Sequence, residues 1–311
     1  MSLARRRQPL TGLPTVFRLT LFRFTLFRLT LFLAALVALS GRAQAAPPLR
    51  IAFITVGQGD AALITSPTGK TILIDGGPRD AGPTLVARLR AQGSRPLDLV
   101  LLTHRHADHL GGLAEVVRNL GARLYMDAPF PHPSPAYAEL MRTLAARSVP
   151  VRGAERGRRI DIGGGAWLTL LSPPEPSLAG TRSDVNANSV VVRLDYGETS
   201  ALFAADAEAA TERWLLQSGA KLSASVLKVA HHGSRYSSGA AFLHAVSPAI
   251  AIVSVGASND YGHPAPDALA RLAKRGARVF RTDRDGTITV ELDGTHVKAQ
   301  GEHEPTAWVA R

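Results

Sequence analysis

The sequence predicts an α/β chain folded as a four-layer αββα sandwich, and three observations carry that expectation. Short apolar runs recur from Leu49 to Leu292 between turn residues. They fall into two groups, each interleaved with helical patterns, as two sheets with helices outside them require. The first group opens with strands close enough in sequence to pair as antiparallel hairpins. A doubly wound parallel sheet is the alternative, and it would need crossovers at that point.

Each element has its own warrant. Residues 49–56 are rich in Ile, Phe and Val and read as a strand. Residues 61–65 and 71–74 are two more, joined by Ser66-Pro67-Thr68-Gly69, a turn in composition. Residues 83–92 have helical spacing, with Leu85, Val86 and Leu89 on one face. Residues 97–103 form a buried strand, 110–120 a helix closed by Gly121, 123–126 a short strand and 136–147 a helix. A Gly-, Pro- and Arg-rich middle, residues 150–182, has its clearest strand at 167–171. The second half gives strands at 189–194, 200–204 and 225–230, with a helix at 207–217. Helix 240–246, strand 249–255, helix 266–275 and strands at 278–280 and 287–292 complete it. Residues 293–311 read as a polar C-terminal tail, with Trp308 able to dock.

Composition bounds the function. The chain has 311 residues, 45% hydrophobic and 20% charged, which is globular and not disordered. It has no cysteine, so disulfides, a cysteine nucleophile and thiolate metal sites are excluded. The net charge of +11 invites a nucleic-acid reading, but the first 45 residues carry seven arginines and no acid. The rest holds 29 basic against 25 acidic residues, so average charge does not argue for a basic groove. Residues 1–45 join an arginine-rich start, an apolar run at 29–39 and Ala43-Gln44-Ala45, the pattern of a secretory signal peptide cleaved near Ala45. The apolar run is short for a membrane span, although an uncleaved anchor is the other reading. A five-residue repeat, Thr-Leu-Phe-Arg-Phe and its variants over 20–34, has no functional account. The expected division is therefore signal peptide 1–45, a folded domain 46–292 and tail 293–311, with the mature protein secreted or periplasmic and without a stable membrane span.

The most informative stretch is Leu99 to Gly112, where a buried strand gives way to a helix. It supplies His104, His106, Asp108 and His109 within six residues. Imidazole and carboxylate donors suit zinc or manganese. Four donors this close crowd a single ion but can divide between two ions about 3.5–4 Å apart. His104 and His106 are expected on one, Asp108 and His109 on the other. A solvated charge run is the bland alternative.

This stretch resembles the HxHxDH mark of the metallo-β-lactamase superfamily. Val56-Gly57-Gln58-Gly59-Asp60, Leu73-Ile74-Asp75-Gly76-Gly77, Leu202 to Asp206 and Leu227 to Ser234 narrow the resemblance. With Asn188-Ser189-Val190, Tyr261 to Pro264 and Arg281 to Ile288, they are similar in order to the hydrolase domain of ComEC-type competence proteins, over about residues 49 to 292.

The resemblance implies roles. Asp206 would bridge two divalent ions, or serve as a helix N-cap. Of His231 and His232, His232 is expected as ligand and His231 as phosphate contact or proton donor, with the reverse order open. His263 would be a second acid or ligand, or a lone surface histidine. Ser234 and the backbone of Gly233 would hold substrate oxygens, and Asp60 and Asp75 would orient ligating histidines. The superfamily's usual third histidine for the first ion is missing. Asn188 stands near that place, so this ion would be loosely held. Ala205 replaces a usual glycine, and Thr55 stands where the subgroup often has Asp. The implied reaction is attack of an activated water on a phosphodiester, DNA being the leading substrate, with His231, His263 and Asp108 as the catalytic groups. A lactone, a β-lactam, a cell-wall phosphodiester or a non-catalytic binding role are the alternatives. The oligomeric state is not indicated.

Overall fold

The computed structural model describes residues 47–93, 96–304 and 307–310. The expected signal peptide, residues 1–45, lies outside the described residues. The first half runs β1 (Leu49–Phe53), β2 (Ala62–Thr65), β3 (Thr71–Ile74), α1 (Gly82–Ala91), β4 (Leu99–Leu102), α2 (Ala107–Leu110), α3 (Leu113–Leu120), β5 (Tyr125–Asp127), α4 (Pro135–Ala146) and β6 (Val151–Gly153). The second runs β7 (Arg159–Gly163), β8 (Ala166–Leu170), α5 (Asp184–Ala187), β9 (Val192–Tyr196), β10 (Thr199–Phe203), α6 (Ala209–Gln217), β11 (Val226–Lys228), α7 (Ala240–Val246), β12 (Ile250–Val253), α8 (Pro266–Lys274) and β13 (Arg278–Arg281). The chain then returns through α9 (Thr282–Asp285), β14 (Ile288–Leu292), β15 (Val297–Gly301) and β16 (Trp308–Ala310).

Two sheets result. One has the order β16-β15-β14-β1-β2-β3-β4-β5-β6 and the other β13-β12-β11-β10-β9-β8-β7. The opening hairpins are antiparallel, with Phe53 opposite Ala62 and Leu63 opposite Leu73. From β3 to β6 in the first sheet, and from β10 to β13 in the second, the strands run parallel. The strands read as continuous apolar runs because both faces are buried. Ile51, Phe53, Ile72 and Leu101 face Leu168, Val192, Phe203 and Ile252 between the sheets. The alternate residues Leu63, Leu73, Val100 and Leu102 pack outward on Leu85, Val117 and Leu140 of α1, α3 and α4. Leu202, Leu227 and Val253 do the same against Leu215, Phe242 and Leu272 of α6, α7 and α8. The four layers are therefore helix, sheet, sheet, helix.

The polar tail is a correction to the expected end of the fold. Residues 297–301 and 308–310 add β15 and β16 to the first sheet, and Trp308 packs on the inter-sheet core. No helix among the described residues is long and apolar enough to cross a membrane.

Candidate metal centre

The carboxyl ends of parallel strands from both sheets meet at one place, the usual position for a ligand site in parallel sheets. β3 delivers Asp75 and β4 delivers His104, while β10 delivers Asp206 and β11 the His231-His232 pair. His106 caps the single turn of α2, which places Asp108 and His109 on that turn. The loop is seated by backbone bonds: Asp60 N–H donates to Asp108 O at 3.1 Å, Gly76 N–H to His109 O at 2.7 Å and Gly112 N–H to Gly77 O at 3.1 Å. A Cβ on Gly59 would lie 2.2 Å from Asp108 O, and one on Gly112 2.3 Å from Gly76 O, so neither position admits a side chain. The Val-Gly-Gln-Gly-Asp and Asp-Gly-Gly segments are thus the floor under the histidine loop.

Four histidines have Nδ1 engaged, which leaves Nε2 facing a shared space. His109 Nδ1 donates to Asp75 Oδ2 at 2.8 Å. Thr103 Oγ1 donates to the same oxygen at 2.8 Å, and so accepts from His104 Nδ1 at 3.1 Å. His232 Nδ1 donates to the Ser254 carbonyl at 3.0 Å, and His231 Nδ1 to Glu208 Oε1 at 3.1 Å. Such partners fix ring tautomer and orientation. His106 instead presents Nδ1, 3.2 Å from His104 Nε2.

Asp206 stands at the centre with its oxygens facing different histidine pairs. Oδ1 lies 3.3 Å from His109 Nε2 and 3.8 Å from His232 Nε2. Oδ2 lies 3.6 Å from both His104 Nε2 and His231 Nε2. His232 Nε2 also lies 3.1 Å from Asp108 Oδ2. Three overlapping groups could each hold a cation: His104-His106-Asp206, Asp108-His109-His232 and Asp60-His109-Asp206. His109 Nε2, Asp206 Oδ1 and Asp60 Oδ1 are buried with no hydrogen-bond partner. Buried polar atoms are rarely left so, and an all-nitrogen-and-oxygen set converging on one space fits divalent metal ions.

The electrostatics show how tightly these groups are coupled. Burial opposes charge on His109, yet Asp206, Asp108 and Asp75 hold it well above the ordinary imidazole range. His232 is likewise raised to about 9 against burial, by Asp206 and Asp60. Burial, with the neighbouring His109, pushes His104 well below its ordinary value. Burial would raise the Asp60 carboxyl, but the Lys228 ammonium and His232 overcome it and hold it at about 2.

The backbone is bent to aim the rings. His231 has φ 48° and His232 φ 53°, two successive non-glycine residues in the left-handed region. His231 N–H donates to the carbonyl of Ala205, which is itself left-handed at φ 49°. Glycine adopts that conformation without strain, whereas alanine does not.

The expected residues divide by place. His104, His106, Asp108, His109, Asp206 and His232 come together, with His231 and His263 at the edge of the same cleft of about 430 Å³. Asp75 accepts from His109, and Asp60 lies 3.3 Å from His232 Nδ1. His263 is 5.6 Å, ring centre to ring centre, from His231, and burial and its histidine neighbours push it down to about 4. The three residues expected on substrate are absent from the lining of this cleft and make contacts within the scaffold. Asn188 spends its amide on Leu178 and the Asp184 carbonyl. Ser234 Oγ accepts from Tyr236 N–H at 3.3 Å. Gly233 packs against Pro264, which a Cβ would meet at 2.6 Å. Sequence reasoning missed Glu208, Asn186, Arg182 and His132. The first three line the cleft, Asn186 Oδ1 is buried without a partner, and His132 packs edge-on to His106. Only the spacing Asp206-Ala207-Glu208 offered a signal, since strand-end acids sit beside one another.

A family model described as Metallo-beta-lactamase superfamily matches residues 54–257. The chain is 30% identical over 253 residues to ComE operon protein 3 of Bacillus subtilis (strain 168), covering 76% of this chain and 32% of that protein. It is 32% identical over 260 residues to Competence protein ComA of Neisseria gonorrhoeae, covering 82% of this chain and 34% of that one. The chain thus spans about a third of the length of these relatives. In fold it is similar to the metallo-beta-lactamase fold protein YhfI from Bacillus subtilis, with TM-score 0.51, 13% identity, and coverage of 85% of this chain and all of that one.

Proposed function

The chain belongs to the metallo-beta-lactamase superfamily, and on that premise we propose that it is an exported phosphodiesterase acting on nucleic acid with two divalent ions, zinc or manganese. The observation that carries a two-ion reading is the split of Asp206, one oxygen toward His109 and His232 and the other toward His104 and His231. On this reading His104, His106 and Asp206 would hold one ion, and Asp108, His109 and His232 the other. Asn186, which lines the cleft and has a buried oxygen without a partner, would be the donor in place of the missing third histidine. Bound ions supply Lewis acidity and lower the pKa of a water. The protein's own groups do the rest. Glu208 orients His231 so that its Nε2 meets the leaving alkoxide, and Asp108 holds the attacking side together with His232. His263, at the rim with its ring centre 5.6 Å from that of His231, is the second candidate to give the leaving alkoxide its proton. The competence proteins among the relatives support nucleic acid as substrate.

The test is hydrolysis of bis-p-nitrophenyl phosphate with zinc or manganese, beside an EDTA-treated control. Metal-dependent turnover is expected, and Asp206→Ala should lose at least about 100-fold, beyond what losing an outer partner of a metal ligand costs. Turnover of nitrocefin or a lactone but not of phosphodiesters would replace this reading with another on the same fold.

A further inference from the structure

Beside the metal cleft lies a second groove of about 770 Å³, and Arg182 and Glu208 line both. Its walls combine exposed guanidinium groups, Arg182, Arg213 and Arg235, with the rings of Trp214 and Tyr236. The Arg182 guanidinium carbon lies 3.6 Å from the centre of the Tyr236 ring, which is 46% exposed. The Arg156 guanidinium carbon lies 4.9 Å from the centre of the Trp214 ring and leads into a further basic recess with Arg159 and Lys221. Of the two acids of the groove, Glu208 accepts from His231 and also lies 3.7 Å from Arg182 Nε, while Glu212 accepts from the backbone N–H groups of Ser238 and Gly239. Arg271 is also committed, donating to the carbonyls of Arg235, Ser237 and Ser238, so it fixes the loop that carries Arg235 and Tyr236. Among the described residues Arg213 and Arg235 have no acid partner, and they share the groove with the rings of Trp214 and Tyr236. Guanidinium groups suit phosphates, and aromatic faces suit unpaired bases. An aliphatic polyanion would use only the first.

We propose that this groove binds the single-stranded polynucleotide flanking the scissile phosphodiester, with Arg213 and Arg235 on backbone phosphates and Trp214 and Tyr236 stacked on bases. It rests on the phosphodiesterase reading of the adjoining cleft, but the test separates the two. Labelled oligothymidylate of about 12 nucleotides, within the usual site size for such grooves, is titrated into the full chain by fluorescence anisotropy, with metal and after EDTA treatment. Arg213→Ala and Arg235→Ala should each weaken binding and each reduce the slope of log affinity against log salt by about 0.7. Trp214→Ala and Tyr236→Ala should each weaken it about 5- to 100-fold with the slope unchanged. Equal binding of base-free polyphosphate, tighter binding of a duplex, or aromatic variants of wild-type affinity would overturn the assignment. If bis-p-nitrophenyl phosphate is hydrolysed while any of these holds, the groove falls and the hydrolase reading stands. The expected binding signature without hydrolysis keeps the groove and removes the reading of the cleft.

Discussion

Lys228 is 4% exposed and pairs with Asp60, on the same strand face as the inter-sheet residue Val226. Removing one partner of a buried pair strands the other charge, which costs about 3–5 kcal/mol. Lys228→Met should therefore lower stability by that order in urea denaturation, and adding Asp60→Asn should restore part of it. A loss below about 1 kcal/mol would mean that the histidines alone balance Asp60. Glu212 carries a different liability. Burial, against two backbone donors, raises its carboxyl from 4.5 to about 7. A raised folded-state pKa means that the folded protein holds the proton more tightly than the unfolded chain. That contribution is complete below pH 4.5 and lost as pH rises through 7. Glu212→Gln should flatten the stability–pH curve between about pH 5 and 8 by about 2–3 kcal/mol. Parallel curves for the two proteins would show that the carboxyl titrates normally. At this scale the local cluster His104-His106-Asp108-His109 was legible because its donors fall within six consecutive residues. Asn186 and Glu208 reach the cleft only through long-range packing, so the sequence favoured Asn188, whose amide serves the scaffold.

The elements with apolar cores were readable and those without were not. β3 and α7 fall where the periodicity predicts them. β6 is exposed throughout, and β7 is mostly polar at a sheet edge, so neither has a burial pattern to read. β15 alternates buried and half- or fully exposed residues, Val-Lys-Ala-Gln-Gly, but is only five residues long and looked like tail. The loops under the metal centre show where glycine spacing became meaningful once the partner loop was known. Gly59 has φ +145° and meets Asp108 O, whereas Gly57 has φ +76° and open space around it. Gly59→Ala should therefore destabilise by about 2–4 kcal/mol and displace Asp108, while Gly57→Ala costs about 1–2 kcal/mol for the left-handed backbone alone. Thermal melts of the two variants decide it, and equal losses would mean that backbone conformation, not contact with the histidine loop, explains both.

Over the whole molecule, average charge concealed the local pattern: the excess resides largely in the first 45 residues, while the groove draws its arginines from both α6 and the loops around it. The centre has a consequence at the same scale. His104, His106, Asp108 and His109 follow strands of one sheet, and Asp206, His231 and His232 follow strands of the other. An ion held by ligands from both sheets ties the halves of the sandwich together and binds only the folded state. At a free concentration about a thousandfold above Kd, such binding adds about 4 kcal/mol. For a chain of this size each kcal/mol raises Tm by about 2–4 °C. Zinc or manganese should then raise Tm by about 8 °C or more over the EDTA-treated protein. Asp206→Asn should lose most of that increment, because Asp206 is the donor shared between both histidine pairs. Calorimetry of the two proteins, with and without metal, measures it directly. An unchanged Tm on stripping metal would mean that the histidine cluster does not join the two sheets through a bound ion. The same increment in Asp206→Asn would mean that the metal joins them without the bridging carboxylate.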